Sequence, residues 1–485
     1  MIPFGEWLPD RPPLGAPHLR QALNVISKGD DYEPFKDLAV LSEQLTTRPR
    51  GAASFRDSGG TVHVYAGDEV SLNELQSDGS WVDLTRLSGG AYATLTTSRW
   101  RFTKFGDLAI ATNFDDAMQA IDMTSGTAFA ALGGSPPRAK YVTTFGDFLV
   151  YGYTDDDPNE IGWSGIDDPT SHTAGTNQSD RQLFPDGGFV QGLAPLDVLL
   201  VFQQHKIRRM AYVGPPLIMQ LDVIEEQLGC LEPNSICQHG RMVFFLADQG
   251  FHVIDDGASA KPIGDKRVNR WFFEDCNQAY LYRMSAAVDP DRKVVVWNYT
   301  SINSPSGDPD SQMIFNYTTG RWTLGRKASI EMVFNSLALG YTLEDLDALT
   351  ASLDVFDIPL DDPALMGGML RFGAFDGDGA YGVFSGANPE ATLETGDFEV
   401  LKGRRAYVSG VRPVTDADAI TVTVAARERP MDAEAYTTSG TLEAHGMVSL
   451  EASGRYHRAK LQIAAGDVWT SAQGLDFEAQ VDGEV

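Results

Sequence analysis

Two stretches decide the fold: Arg101-Phe-Thr-Lys-Phe-Gly-Asp-Leu-Ala-Ile110 and Lys140-Tyr-Val-Thr-Thr-Phe-Gly-Asp-Phe-Leu-Val150. Each carries Phe-Gly-Asp followed by alternating apolar residues, a tight turn leading into a buried strand. Asp107 and Asp147 are 40 residues apart. The same turn and strand recur more loosely at Ser58–Tyr65, Pro195–Phe202, His239–Leu246 and Asp289–Tyr299. Spacings of about 40–50 residues match a four-stranded propeller blade, a unit that cannot bury both of its faces alone. A pair of β-sandwiches would supply similar strands without that period.

Turn chemistry repeats with the strands. Asn316-Tyr-Thr-Thr-Gly-Arg-Trp322 reads as a hairpin turning at Thr319-Gly320 and ending in a packed tryptophan. Ser77-Asp-Gly-Ser-Trp81 and Asp122-Met-Thr-Ser-Gly126 follow the same logic. Six units fall between Ser54 and Thr323, with a seventh around Leu370–Phe384. The expected architecture is all-β: a β-propeller over 51–390, an extended N-terminal arm over 1–50 and a C-terminal β-sandwich over 391–485. The arm is proline-rich, with one short helical candidate at His18–Ile26 and no core of its own, so it is expected to lie along something else. An acidic insertion at 341–369 interrupts the blades, with helical turns expected over Thr342–Leu349. Six strands are expected in the last part: Thr392–Val400, Arg405–Pro413, Ile420–Ala426, Gly446–Leu450, Tyr456–Ile463 and Leu475–Val481.

Composition narrows the function. Of 485 residues, 38 are Lys or Arg and 67 are Asp or Glu, a net charge of −29. Such a surface does not suit a protein that grips nucleic acid by neutralising phosphates, and an anionic membrane would repel it. The three cysteines are too few for a disulfide framework and lack zinc-site spacing, so Cys230, Cys237 and Cys276 read as core thiols. Met1–Asp10 has neither a basic n-region nor an apolar h-region, so no signal peptide is expected, and the longest apolar runs are strand-length. No HExxH, GxSxG, P-loop or dinucleotide fingerprint is present, and the histidines are scattered. The chain therefore reads as a non-enzyme without metal or cofactor. Asp376-Gly-Asp-Gly379 reads as a hairpin turn, because the residues after it supply no further carboxylate for calcium.

Charge clusters supply the remaining candidates. Asp155, Asp156 and Asp157 form a dense acidic loop, and the insertion carries Asp354, Asp357, Asp361 and Asp362. Lys206-Ile-Arg208-Arg209, Asp265-Lys-Arg267 with Arg270, and Gly403-Arg404-Arg405 with Arg412 are small basic features, read either as inter-subunit contacts or as ordinary surface charge.

The order of parts, and residues at both ends, resemble the tail nozzle proteins of short-tailed bacteriophages, also called tail tubular protein B. Near the start these are Leu8-Pro-Asp-Arg-Pro-Pro13, Gln21-Ala-Leu-Asn24, Gly29 and Tyr32-Glu-Pro34. Towards the end they are Met366-Gly-Gly-Met-Leu370, Phe375-Asp-Gly-Asp378, Leu393-Glu-Thr-Gly396, Gly403-Arg-Arg-Ala406, Gly410-Val-Arg-Pro413 and Trp469 with Gln473-Gly474. The resemblance covers about a third of the chain, and none of its motifs is catalytic. It implies a structural virion protein, assembled in the host cytoplasm, forming a homohexameric ring at the distal end of the tail. Its implied partners are an adaptor ring above, tail fibres or spikes, and viral DNA that passes without tight binding.

Six copies of −29 sum to −174, and an acidic lumen would let DNA slide where a basic one would hold it. The two acidic loops are then expected at the lumen or gate, with Arg11, Gln21, Asn24, Arg208, Arg209, Arg404 and Arg405 between subunits. The runner-up is a tail hub or receptor-binding protein, stacking host glycan on Tyr407, Tyr456 and Trp469 of the C-terminal domain. A propeller glycosidase or lyase is a third reading and needs two carboxylates in a central pocket.

Overall fold

Gly106 and Gly146 hold the two decisive turns at φ of +58° and +55°, a region where a side chain would be strained. Phe105 pairs with Leu108 and Phe145 with Phe148, so each turn is a two-residue hairpin loop. The computed structural model describes residues 1–12, 18–328, 330–340, 367–429, 432 and 436–482. The protein is nearly all-β. Among the described residues, six separate four-stranded sheets and the first four strands of a nine-stranded one follow each other as propeller-like blades.

Blades 1 to 5 take up 51–83, 101–131, 139–183, 190–225 and 237–262, and blade 6 takes up 285–325. Their first strands touch in chain order, Gly51–Arg56 against Arg101–Phe105, Arg101–Phe105 against Ala139–Phe145, and Ala139–Phe145 against Val190–Pro195. Blades 4 and 5 meet through Phe202 and Phe245, with ring centroids 5.1 Å apart, and through Gln238 Nε2 donating to the Pro195 carbonyl at 2.7 Å. The first strand of the seventh blade, Ile330–Leu337, packs on both Ser285–Asp289 and Gly51–Arg56, which brings the last blade back to the first.

Blade 7 corrects the first of the sequence expectations. It is built from Ile330–Leu337, Leu370–Asp376 and Ala380–Val383, and its fourth strand is Ala39–Gln44 from the segment expected to be an arm. The rest of that segment is also paired. Leu19–Leu23 runs antiparallel to Ala391–Thr395, Val25–Lys28 and Asp31–Pro34 form a hairpin beside Ala472–Val481, and Ile2–Pro3 joins the same strand. The helix expected at His18–Ile26 is therefore two strands. Asn24 separates them at φ +57°, a conformation asparagine tolerates better than most side chains, and one that ends helical propagation. The helix expected over Thr342–Leu349 lies outside the described residues. A short helix absent from the sequence reading, Asn269–Asp275, connects blades 5 and 6.

The C-terminal strands form two sheets packed face to face. One contains Ala391–Thr395, Ile420–Arg427, Tyr436–Thr441 and Tyr456–Ile463, and the other Ala406–Thr415, Val448–Gly454 and Ala472–Val481. Val408, Val411 and Leu450 meet Leu393, Val422, Val424 and Leu461 between them. The first sheet is continuous with blade 6 through a parallel contact of Leu23 with Leu324. One apolar core runs from Phe251, Phe272, Trp297 and Trp322 into this sandwich without a break.

Candidate functional site at the centre of the blades

The first strands of the blades start at one end of the assembly, and the residues entering them converge there. Two Arg-x-Arg pairs lead in, Arg48-Pro-Arg50 ahead of blade 1 and Arg99-Trp-Arg101 at the start of blade 2. In extended chain, residues two apart share a face, so each pair presents both guanidiniums together. Glu232 and Asn234 arrive ahead of blade 5, Arg283 ahead of blade 6, and Glu331 on the first strand of blade 7. Beside them lies a hole of about 200 Å³ lined by Arg50, Arg99, Arg101, Asn234 and Ser285, with Phe334 among its apolar walls.

Three of the arginines are tied to carboxylates. Arg50 donates to Glu69 at 2.8 Å and to the Thr94 carbonyl. Arg48 Nε lies 3.4 Å from one oxygen of Glu331, while Arg283 bonds the other oxygen and also Asp308 at 2.7 Å. Arg101 donates to the side-chain oxygen of Asn234, and its guanidinium sits 5.9 Å from the Tyr141 ring centre. Arg99 is the least satisfied. Its Nη2 reaches the Tyr282 carbonyl at 3.5 Å, and its buried Nη1 has no hydrogen-bond partner among the described residues. Neither Arg99 nor Arg101 has a carboxylate within 4 Å among those residues. Burial pulls Arg99 down to about 10, which leaves it charged at neutral pH, and lowers Arg101 as well.

Glu232 has the opposite problem. Only 7% exposed, it is pushed up to about 7 by burial, partly offset by hydrogen bonds from Asn234 and the charges of Arg101 and Arg99. Its Oε1 accepts from the Asn234 backbone at 3.0 Å and the Asn234 side chain at 2.8 Å. A carboxyl raised above its ordinary value of 4.5 favours folding while protonated, so this contribution is present below pH 4.5 and is lost as pH rises to 7. Glu232→Gln keeps the acceptor oxygen and removes the titration. It is expected to be more stable than wild type at pH 8, by on the order of 3 kcal/mol, and equal to it at pH 4. Urea unfolding at both pH values checks this; a stability difference that does not change with pH would refute the shift.

The sequence-derived candidates lie elsewhere. Asp155–Asp157 follows the second strand of blade 3 at the same end, since Ala139 pairs with Thr154. Asp155 binds Arg138 at 3.0 Å and Asp156 binds Arg181 at 2.6 Å, while Asp157 caps its own turn through Asn159. Asp354, Asp357, Asp361 and Asp362 lie outside the described residues. The strand ends flanking their segment, Leu337 and Leu370, pair at the far end of the blade from Ile330.

The basic stretch of blade 4 is internally neutralised. Arg208 is buried against Gln203, Asp186 and the Phe184 ring, and Arg209 reaches Asp222 at 3.3 Å, so Arg208 offers no face to a neighbour. Asn24 is also buried, bonding the Glu390 carbonyl at 2.8 Å and accepting from Arg326 N at 2.9 Å. Gln21 pairs with Glu394 across the sheet. Arg405 bridges Glu428 and Asp482, whereas Arg11 and Arg404 are exposed. Trp469 belongs to the core, so the expected aromatic platform with Tyr407 and Tyr456 loses one of its members. Asp376 accepts from the backbones of Asp378 and Ala380, a turn as read. The three cysteines are buried, and burial raises their thiols.

The central arginines form no run of charge, which is why charge clusters in the sequence do not reveal them. Their signal was available as Arg-x-Arg placed directly before a strand at two blade starts.

No protein-family model and no curated protein matches the chain. Among solved structures it is similar to the extracellular domain of the putative one component system BT4673 from B. thetaiotaomicron, at 10% identity and TM-score 0.41. That match covers 78% of this chain and 44% of the other, so this chain spans less than half of that protein. The Cps50 (Swd1) beta-propeller domain of Myceliophteria thermophila matches at 9% identity and TM-score 0.39, covering 61% of this chain and 92% of that one. Virginiamycin B lyase from Staphylococcus aureus matches at 10% and 0.39, covering 61% and 93%. All three superpose loosely, and the blade arrangement described above stands on this chain's own strand pairing.

Proposed function

We propose that this protein is a β-propeller with an integral C-terminal sandwich that serves as a structural part of a phage tail: the distal nozzle ring, a homohexameric conduit that retains and then releases the genome. One observation carries the reading. Some of the residues that resemble nozzle proteins, together with residues near them in sequence, stand more than 360 positions apart in the chain yet meet in one unit, while Leu370 and Phe375–Asp378 lie in blade 7. Gln21 pairs with Glu394, Tyr32 with Ala472 and Pro3 with Gly474; Asp31 bonds Ser471 at 3.0 Å and Gln473 at 3.2 Å. Asp10 accepts from the backbones of Arg270 and Trp271 at the start of the short helix, fastening the same unit to blade 6. Signatures that coincide in space describe a module that is kept for its shape, as a subunit of an assembly requires.

The conduit is then the axis of the ring and not of each subunit, since a hole of about 200 Å³ crossed by arginine pairs admits no duplex. The protein acts without catalysis or cofactor, assembles in the host cytoplasm and resides in the virion tail, against an adaptor ring and fibres or spikes. The Asp155–Asp157 loop is the proposed lumen element among the described residues, and neutralising it would also remove the Asp155 partner of Arg138 and leave Arg181 with Glu160.

Light scattering with negative-stain imaging of the purified protein, alone and with its adaptor, tests the reading. A six-fold ring with an open axial channel is expected. A monomer that ignores the adaptor and binds host polysaccharide would replace the nozzle with the receptor-binding alternative.

A further inference from the structure

The hole at the centre of the blades holds two guanidiniums with no carboxylate within 4 Å among the described residues. In a chain of net charge −29, with acidic side chains in large excess, such an arrangement is not for want of carboxylates. Arg48, Arg50 and Arg283 each have one within 4 Å. Arg99 and Arg101 stand at alternate positions of one extended segment, both line the hole, and Arg99 turns an unpartnered, buried Nη1 into its surroundings. A guanidinium enclosed by protein and missing hydrogen bonds is costly to keep, and an oxyanion that accepts from its planar fork relieves that cost. Two such charges side by side match a dianion better than a monocarboxylate. The space, about 200 Å³, admits a tetrahedral oxyanion together with water and excludes a nucleic-acid duplex.

We propose that this hole is a binding site for a divalent tetrahedral oxyanion of the phosphate class, held by Arg99 and Arg101 with Arg50 at its wall. Asn234 positions Arg101 by accepting from its guanidinium. Glu232 stands behind Asn234 and sets the local charge balance, while Glu331 is occupied by Arg48 and Arg283 and does not compete for Arg99. The site does not depend on the ring reading and would exist in the isolated subunit. The phosphate comes either from solution or from the end of a nucleic-acid strand, and the chemistry at the arginines is the same.

Titration calorimetry of the full chain at low ionic strength tests this, using inorganic phosphate, acetate, and short single strands with and without a 5′-phosphate. Phosphate is expected to bind with one site per subunit, with acetate at least tenfold weaker. Arg99→Gln is expected to lose at least tenfold in phosphate affinity. Binding of the 5′-phosphorylated strand alone would assign the source to nucleic acid and keep the site. A second readout separates a ligand residue from a structural one. Without phosphate, Arg99→Gln should be as stable as wild type or more so, because it removes a desolvated charge that no carboxylate among the described residues contacts within 4 Å. Absence of binding by every probe, affinity unchanged in Arg99→Gln, or a variant destabilised without phosphate would each overturn the proposal.

Discussion

Asp397→Ala is expected to destabilise the protein by about 3–5 kcal/mol, because it strips the shared carboxylate from two buried arginines. Asp397 Oδ1 accepts from Arg458 at 3.0 Å through Nε and 2.9 Å through Nη2, and from Arg427 Nη2 at 2.5 Å. The side chains of Asp397 and Arg458 are each 1% exposed, so water cannot replace the lost partner. Arg458 also lies 3.7 Å from Glu394, a longer contact than either of its bonds to Asp397. Removing one member of a buried pair is far worse than removing the pair. Asp397→Leu with Arg458→Met should therefore recover a large part of the loss. Guanidinium unfolding of the single and double variants measures it, and a loss below 1 kcal/mol in the single variant would show that solvent reaches the pair.

Trp322→Ala is expected to cost about 3–5 kcal/mol through the cavity it leaves. The indole is fully buried and touches three partners: Trp297 stacks at 5.6 Å, Phe315 sits at 4.7 Å and Phe251 at 5.0 Å. Its Nε1–H donates to the Ile263 carbonyl at 3.0 Å, so the same side chain ties blade 6 to the end of blade 5. Trp322→Phe keeps most of the ring contact and loses that bond, and is expected to cost about 1–3 kcal/mol. A cost for Trp322→Ala no greater than for Trp322→Phe would mean that the neighbouring rings collapse into the space. Because this core continues into the sandwich, both variants should unfold blades 5 and 6 together with the C-terminal strands, in one transition by any probe.

The blade pattern was legible because its signals are local. A glycine at positive φ between two alternating runs, as in Phe105-Gly-Asp107 and Phe145-Gly-Asp147, determines a hairpin wherever it occurs, and its repetition gives the period. Most of the C-terminal strands were readable for the same reason, as Ile420–Arg427 and Tyr456–Ile463 carry apolar residues at alternate positions over part of their length, whereas Tyr436–Thr441 was not among those expected. The first fifty residues were not. Leu19–Leu23 and Ala39–Gln44 lack the pattern of an independent strand because their partners, Ala391–Thr395 and Ala380–Val383, supply the other half of the sheet from more than 330 residues away.

By itself, then, the sequence determined an all-β chain of repeated hairpins, strongly acidic, with a terminal two-sheet region. Only the tertiary structure decided that the N-terminal segment completes both the last blade and the sandwich. It likewise decided that Arg208 and Asn24 face inward, and that Arg50, Arg99 and Arg101 meet around one hole. The reason is physical: hairpin formation depends on a few neighbouring residues, whereas strand insertion and charge convergence depend on which distant segments the closed fold brings within hydrogen-bonding distance.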